Sequence, residues 1–599
     1  MLLTQGSTQA WYFPRFMRRS PPRILPFPLI ALLLYLALAV AAFSNTWLSP
    51  TDHWIGGDPD PPLFIWHLRW LPFALAEGHN PFLSNYLSYP DGFNLMWNTS
   101  VLFPALLLAP VTLLAGAILS YNVLVTLSLA LSAWCGYLVF RRYVHRKEAA
   151  AIGGLLYGFS PFMFAHAGGH PHMSLAVYPP LVLLLLDEIV VRQRRSPYLL
   201  GLLLGAATGL QLLTGEEQVA LCLLIAVAGL FLLALLHRKS VRPHLPYAFR
   251  GLGLAALTAL ALDAYPLYVQ LYGPQHVTGP VQPHNVFVLD LLQFVVPGYR
   301  QQLSSDATTD LFNRFSGPTE LGGYIGIPLL LLVSFTVVRY WSDKLVRFVA
   351  LLLGLIVILS LGPRLHVAGH SLSMPLPWAI PQRLPLFESI LPARLALIMF
   401  LLLGLLLAVF VDRFPLRATG SKAALCAVLV VALAPLLPAL PYSIGRDDTP
   451  RFFSAGAHAI PKDSVALIAP YASPLGGTSR PMVWQARADM RFRMPEGYVI
   501  HASGRFDPRD ATSPLFKRMI AIQAGDLAPP VTADARQRIL CQLERLNVRS
   551  VVIGPMRAGR SESIRLFRRV LDAPPVETGG VQLWPNVLVA ARRGSGSCA

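Results

Sequence analysis

Between Gly56 and Pro62 the chain reads GGDPDPP, which sets two carboxylates, Asp58 and Asp60, two positions apart among glycines and prolines. An aspartate near its ordinary pKa is ionised at neutral pH, so such a pair can act as a general base, or as a base and a metal ligand. Asp60 precedes Pro61 and Pro62, residues suited to a first helical turn, and stands where an N-cap carboxylate would accept backbone N–H groups. Asp58 lies between Gly57 and Pro59 and has no comparable structural task. Of the two, Asp58 is therefore the one expected to do chemistry.

Three further groups carry chemistry-bearing residues. His166, His170 and His172 in HAGGHPH are spaced so that two or three imidazoles could reach one metal ion, although the sequence places no acid or cysteine beside them and a polar turn explains them equally. Glu216 and Glu217 in TGEEQ interrupt an apolar stretch and are candidate cavity acids; a turn between two helices is the plainer account. Arg394 follows Pro392 at the start of a late apolar segment, where a guanidinium could receive a phosphate or simply reach the membrane surface. Arg300, Arg314, Arg364 and Arg383 fall in similar surroundings.

The elements that position these residues are set by composition. With 54% apolar and 13% charged residues over 599 positions, the chain needs lipid as solvent. Apolar segments, each near the length that about 30 Å of hydrocarbon requires, lie at about 24–46, 101–119, 121–141, 150–166, 174–191, 198–214, 218–236, 249–270, 324–338, 345–362, 393–412 and 422–442. The net charge of +18 sits in short clusters such as RRYVHRK and RQRRS between these segments, the positive-inside pattern rather than a nucleic-acid surface. The basic N-terminus followed by a long apolar stretch reads as a retained signal anchor. Placing the clusters in the cytoplasm leaves 49–100, 167–173, 215–217, 271–323, 363–392 and everything after 442 outside. A cytoplasmic N-terminus and an external tail require an odd number of crossings, so one segment between 100 and 141 is in doubt and roughly 11 to 13 crossings are expected.

Residues 63–82 repeat Leu63, Trp66, Trp70 and Phe73 at helical spacing with His67, Arg69 and Glu77 opposite, which predicts an amphipathic helix in the interface plane. The loop 271–323, which contains PTELGGY (318–324), is longer than a connector needs. After residue 444 the composition becomes mixed and polar, with β-like runs at 465–469 and 548–553 and a helical pattern at 533–546. The expected architecture is thus an α-helical polytopic membrane domain, 1–444, followed by an extracytoplasmic C-terminal α/β domain, 445–599. Cys541 and Cys598 lie in that tail and could pair there.

A single span, a long first external loop with a paired acid, the segments EGHNPF and YPDGFNLMWNTS, FSPFMFAHAGGH, TGEEQ, PAR and an external tail domain together resemble the GT-C superfamily of membrane glycosyltransferases, bacterial members of unassigned substrate above all. The resemblance implies transfer of a sugar from a polyprenyl-phosphate donor to a glycan, lipid or protein acceptor on the outer face of the bacterial inner (plasma) membrane. It implies a first-loop aspartate as base and Arg394 at the phosphate; no cofactor is fixed by it, and the paired carboxylates leave room for a divalent cation such as Mg or Mn. The tail lacks a WWD-type motif, which argues against oligosaccharyl transfer to asparagine, and no Lys-Pro-Pro stands at the second span. The rival readings are a transporter or flippase of lipid-linked glycans and a non-catalytic envelope assembly protein.

Overall fold

The computed structural model describes residues 26–589 except 58, 318–319, 385–386, 417–419, 505–506 and 527–529, with no side-chain description at 237–242. Asp58, the leading catalytic expectation, and Cys598 both fall outside the described residues.

Each apolar segment anticipated in the sequence contains a helix. In chain order the elements that matter are α1 (Phe27–Ala42), β1 (His53–Ile55), α2 (Asp60–Ala76), α3 (Leu102–Ala115), α4 (Ala117–Phe140), α5 (Lys147–Gly158), α6 (Pro161–Ala167), α7 (Tyr178–Leu186), α8 (Pro197–Leu212), α9 (Glu216–Val241), α10 (Leu245–Tyr272), α11 (Ile327–Arg339), α12 (Lys344–Ser360), α13 (Ala396–Arg413) and α14 (Ser421–Leu433). Among the described residues, five helical segments are long and apolar enough to cross a membrane on those grounds alone, and the protein is a multi-pass membrane protein. Helix α13 runs through the centre of the bundle, with 94% of its span buried, whereas only 17% of the α9 span is. A helix that is apolar all round belongs either in a core or against lipid, and this chain uses both solutions.

Close packing is set by small residues. Gly201, Gly205 and Gly209 repeat every four positions along α8 and meet α10, where a Cβ on Gly201 would fall 2.4 Å from the Gly251 carbonyl oxygen and one on Gly205 2.4 Å from that of Ala255. At the end expected in the cytoplasm, Arg142 pairs with Glu188, and Arg192 Nε lies 2.6 Å from Asp187. Asp187 is thus held by a neighbour five positions on, whereas Glu188 is held across the bundle from α4's end.

The doubtful crossing is α3. Its 14 residues span about 21 Å, short of the hydrocarbon thickness. Both of its ends meet elements of one side: Phe103 N donates to Leu213 O at the end of α8, and Gly116, which breaks the helix at φ +91°, is approached by Arg487 of the C-terminal domain. Leu107 and Leu114 are exposed along it, so the bundle does not enclose α3.

The faces of the helix expected at 63–82 are not left to lipid and water. Helix α2 is covered on its outer side by α15 (Arg480–Arg487) and flanked by α3 and α4. Trp66 and Trp70 are fully buried, stacked at 5.3 Å with an 8° tilt, and Trp66 Nε1 donates to Gln485 Oε1 at 2.5 Å. His67, placed on the polar side by its sequence position, is enclosed by Phe64, Trp66 and Phe93 with neither ring nitrogen bonded; burial lowers its pKa to about 3. The polar stripe survives only where the C-terminal domain answers it, as in Arg69–Asp489 and Glu77–Lys462.

Strand β1 pairs antiparallel with β2 (Ile444–Arg446), tying the first long loop to the chain just beyond the last span. The C-terminal domain carries a four-stranded sheet in the order β3 (Val465–Ala469), β4 (Val548–Ile553), β6 (Val581–Trp584), β5 (Val576–Thr578), parallel between β3 and β4 and antiparallel elsewhere. Helices α16 (Ala533–Arg545) and α17 (Arg560–Leu571) precede and follow β4 and pack on it. Cys541 on α16 is disulfide-bonded.

Candidate active site at the mouth of the bundle

Asp60 does not cap α2. The N-cap is Pro59, with no side-chain capping bond, and Asp60 is the first helical residue. A cap at this end would need amide donors at the second and third helical positions, and these are Pro61 and Pro62, which have none. The carboxylate is therefore free to face inward. Oδ1 accepts from Tyr498 Oη at 3.0 Å and Oδ2 lies 3.7 Å from His170 Nε2. Glycines permit the approach: a Cβ on Gly169 would meet Asp60 Cβ at 3.0 Å, and Gly56, at φ +93°, rests on the Gly168 backbone with no room for a side chain.

His170 connects Asp60 to a second layer, its Nε2 lying 3.6 Å from Glu320 Oε1. The other Glu320 oxygen lies 3.0 Å from His166 Nε2. Arg394 grips the same carboxylate with Nε at 2.8 Å and Nη2 at 2.7 Å, a bidentate fork, and turns Nη1 to Glu217. The second Glu217 oxygen accepts Leu391 N at 3.3 Å, and Glu216 is 3.5 Å from Gln270 Nε2. Six parts of the chain thus converge here: α2, α6 with the turn after it, the loop before α11, the start of α9, the turn before α13 and, through Tyr498, the C-terminal domain. Burial alone would push the Glu320 carboxyl up, but the Arg394 guanidinium beside it, together with His170 and the His166 contact, holds it well below the usual carboxylate range. Burial also lowers the pKa of His170.

His166, His170 and Glu320 could hold a metal ion, since their ligand atoms lie within 4.8 Å of one another. The hydrogen bonding fits that role. His166 Nδ1 faces the Phe162 carbonyl at 2.9 Å and Nε2 faces a carboxylate, so both partners are acceptors. Only an imidazolium, or a neutral ring with a cation between Nε2 and Glu320, satisfies both. A ligating histidine that donates its other N–H to a backbone carbonyl is the usual support for a metal.

Of the residues singled out in the sequence, Asp60, His166, His170, Glu217 and Arg394 come together, with Glu216 at the edge. His172 abuts the cluster without joining the cation-ligand group: its ring packs edge-on against His170 and stacks on Phe64, each at 5.7 Å, and neither nitrogen has a hydrogen-bond partner among the described residues. Arg394 is 7% exposed and engaged by two carboxylates, so it does not present the bare fork that a phosphate would need. Glu320 and Tyr498 were not anticipated. A lone acid followed by Gly322 and Gly323, which pack against Phe162 and Leu289, was the available signal for Glu320.

The chain belongs to the family described as "Domain of unknown function (DUF6311)", whose model matches residues 31–435 and so includes every member of this cluster except Tyr498. Its fold is that of the GT-C membrane glycosyltransferases. The arabinofuranosyltransferase AftD from Mycobacteria superposes with a TM-score of 0.54 at 16% identity over 94% of this chain and 40% of that one. This chain therefore spans about 40% of the length of that structure. ArnT from Cupriavidus metallidurans gives 0.49 at 13% identity, covering 94% of this chain and 99% of that one. The oligosaccharyltransferase AglB from Archaeoglobus fulgidus gives 0.45 at 15%, covering 88% and 69%. A comparison with curated proteins finds no match.

Proposed function

We propose that this chain is a membrane glycosyltransferase that moves a sugar from a polyprenyl-phosphate donor to a cell-envelope acceptor on the outer face of the inner membrane. The observation that carries the reading is the Asp60 carboxylate, turned away from any capping role and held by Tyr498 beside His170 and Glu320. The mycobacterial neighbour is named a sugar transferase, which supports the reaction class. Asp60 accepts the proton of the acceptor hydroxyl as its oxygen attacks the anomeric carbon. The bond from that carbon to the donor phosphate oxygen breaks, the polyprenyl phosphate leaves with the electron pair, and the anomeric centre inverts. Arg394 acts as a positioning residue that aims Glu320.

Burial pushes the Glu217 and Glu216 carboxyls up, but Asp60 and Glu320 alone outnumber Arg394, so a phosphorylated donor meets net negative charge unless a cation intervenes. His166, His170 and Glu320 are the residues that would hold a divalent ion, which would supply charge neutralisation at the phosphate.

The test uses the purified full chain in vesicles with radiolabelled polyprenyl-phospho-arabinose, -mannose, -glucose and -galactose and envelope glycan acceptors. Asp60→Asn is expected to lower transfer by roughly 10²–10⁴-fold, the range for a general base, with an unchanged melting temperature. Transfer retained in Asp60→Asn would overturn the assignment. Chelation followed by Mg, Mn or Zn is expected to remove and restore activity; indifference to chelator would remove the cation from the scheme.

A further inference from the structure

Between α12 and α13 the chain forms a two-stranded hairpin, Arg364–Val367 paired with His370–Pro375, that the reaction above does not use. Successive side chains of a strand point to opposite faces, so the two faces can be read separately. One face belongs to the protein: His366 is buried, and its cross-strand partner Ser371 accepts from Asn285 Nδ2 at 3.3 Å. The other face turns outward, and it is the apolar one. Leu372 and Met374, alternate residues on it, are 44% and 54% exposed, and the turns that follow leave Ile380 73% and Leu384 51% exposed. A hairpin surrounded by water has the reverse arrangement, with its polar face outward.

The hairpin is tied at both ends to one level of the bundle. Arg364 follows Ser360, the last residue of α12, by four positions, a reach of about 14 Å at most. At the turn, Asp290 Oδ1 accepts from Ala368 N at 3.1 Å and Oδ2 from Gly369 N at 2.8 Å, while the preceding residue, Leu289, donates its N–H to Ser360 O at 2.9 Å. Helix α12 packs on α13, whose apolar span begins at Pro392 on this same side. Base and turn therefore both sit where the helices leave the membrane, next to the exposed Ile358 on the last turn of α12.

Charge decides what covers the outward face. Residues 361–384 contain Arg364 and Arg383 and no aspartate or glutamate. Both arginines are exposed, and neither makes an ion pair among the described residues. A guanidinium is matched by phosphate and an apolar face by acyl chains, and the headgroup boundary of a bilayer offers the two together. A peptide strand added to His370–Pro375 would bond the edge of the hairpin, not its outward face.

We propose that this face is a lipid-binding surface, with Leu372 and Met374 against acyl chains just below the headgroups and Arg364 and Arg383 on anionic headgroup phosphates. The inference stands whether or not the chain transfers a sugar. The test uses the full chain in nanodiscs of phosphatidylcholine and phosphatidylglycerol, with Cys426→Ser removing the exposed native thiol. A nitrobenzoxadiazole label is placed at Leu372→Cys and, as a water-facing reference, at Lys517→Cys. Lipid spin-labelled near the headgroup quenches the label at 372 and spares that at 517, and iodide quenches 372 several-fold less than 517. Spin-labelled phosphatidylglycerol competes for the 372 label roughly fivefold better than spin-labelled phosphatidylcholine for each arginine engaged, and Arg364→Gln with Arg383→Gln removes that preference. Iodide access at 372 equal to that at 517 overturns the surface. Protection from iodide without lipid quenching, the mark of a second protein chain on this face, overturns it as well. Equal quenching by the two lipids overturns the role given to the arginines.

Discussion

Two buried groups of acids in this molecule differ in one residue type and, through it, in charge. At the mouth of the bundle, Glu320 and Glu217 face Arg394, and Glu320 is held ionised despite burial. In the C-terminal domain, Glu496 accepts Ile468 N with one oxygen at 2.8 Å and leaves the other without a partner, while Asp510 accepts Tyr471 Oη at 2.8 Å and a bond from Ser473. The nearby Arg509 is taken up by Asp507. Burial pushes the Glu496 carboxyl well up and Asp510 up to about 6. A guanidinium that grips both carboxylate oxygens separates Glu320, which keeps its charge, from Glu496 and Asp510, which keep protons for hydrogen bonding; Glu217, which Arg394 reaches with one nitrogen only, is still pushed up by burial.

The largest break in this comparison comes from removing that guanidinium. Arg394→Ala would leave Glu217 and Glu320 facing each other in a buried site without compensation, a change expected to cost roughly 3–5 kcal/mol. Thermal unfolding in detergent should show the greatest loss among single substitutions in the site. Arg394→Lys should recover only part, because an ammonium cannot hold both Glu320 oxygens and reach Glu217 in one geometry. An unchanged melting temperature in Arg394→Ala would mean that the two glutamates are compensated by something else.

The second cluster makes the opposite demand on pH. The folded pKa of Asp510, about 6, lies above the unfolded aspartate value of about 3.9, so the unfolded chain releases its proton first as pH rises. Folding stability therefore falls between about pH 4 and pH 6 and is flat above. Lowering the pH from 7 to 5 should stabilise the C-terminal domain, and Asp510→Asn, which still accepts from Tyr471, should flatten that response. Melting curves at the two pH values decide it; an equal slope in the variant would place the titration elsewhere.

The membrane helices were legible in the sequence because hydropathy over a fixed length needs no tertiary information. The site was legible in pieces. Asp60, His166, His170, Glu217 and Arg394 each stand out by residue type, but the residue that unites them does not: Glu320 is 154 positions from His166 and 74 from Arg394, and nothing local marks it as their partner. Asp60 was misread for a local reason, since the prolines that signal a helix start also remove the amides a cap would bind. The stripe on α2 misled in the same way. Periodicity identifies an amphipathic helix but not what covers its polar side, and here that cover comes from a domain more than 400 positions away, where Trp66 meets Gln485.

The smallest effects are expected where α2 meets the C-terminal domain through charge. Lys462 and Glu77 approach to 3.3 Å with side chains 56% and 43% exposed, and Asp489, the partner of Arg69, is 81% exposed. Water screens both pairs, and holding long side chains in one geometry offsets much of the attraction, so Lys462→Ala or Asp489→Ala should change stability by less than about 1 kcal/mol. The cover over α2 then depends on its buried contacts, the Trp66–Gln485 hydrogen bond among them. A loss well above that figure in Lys462→Ala, measured by thermal unfolding at two salt concentrations and diminished at the higher, would show that surface charge docks the domain after all.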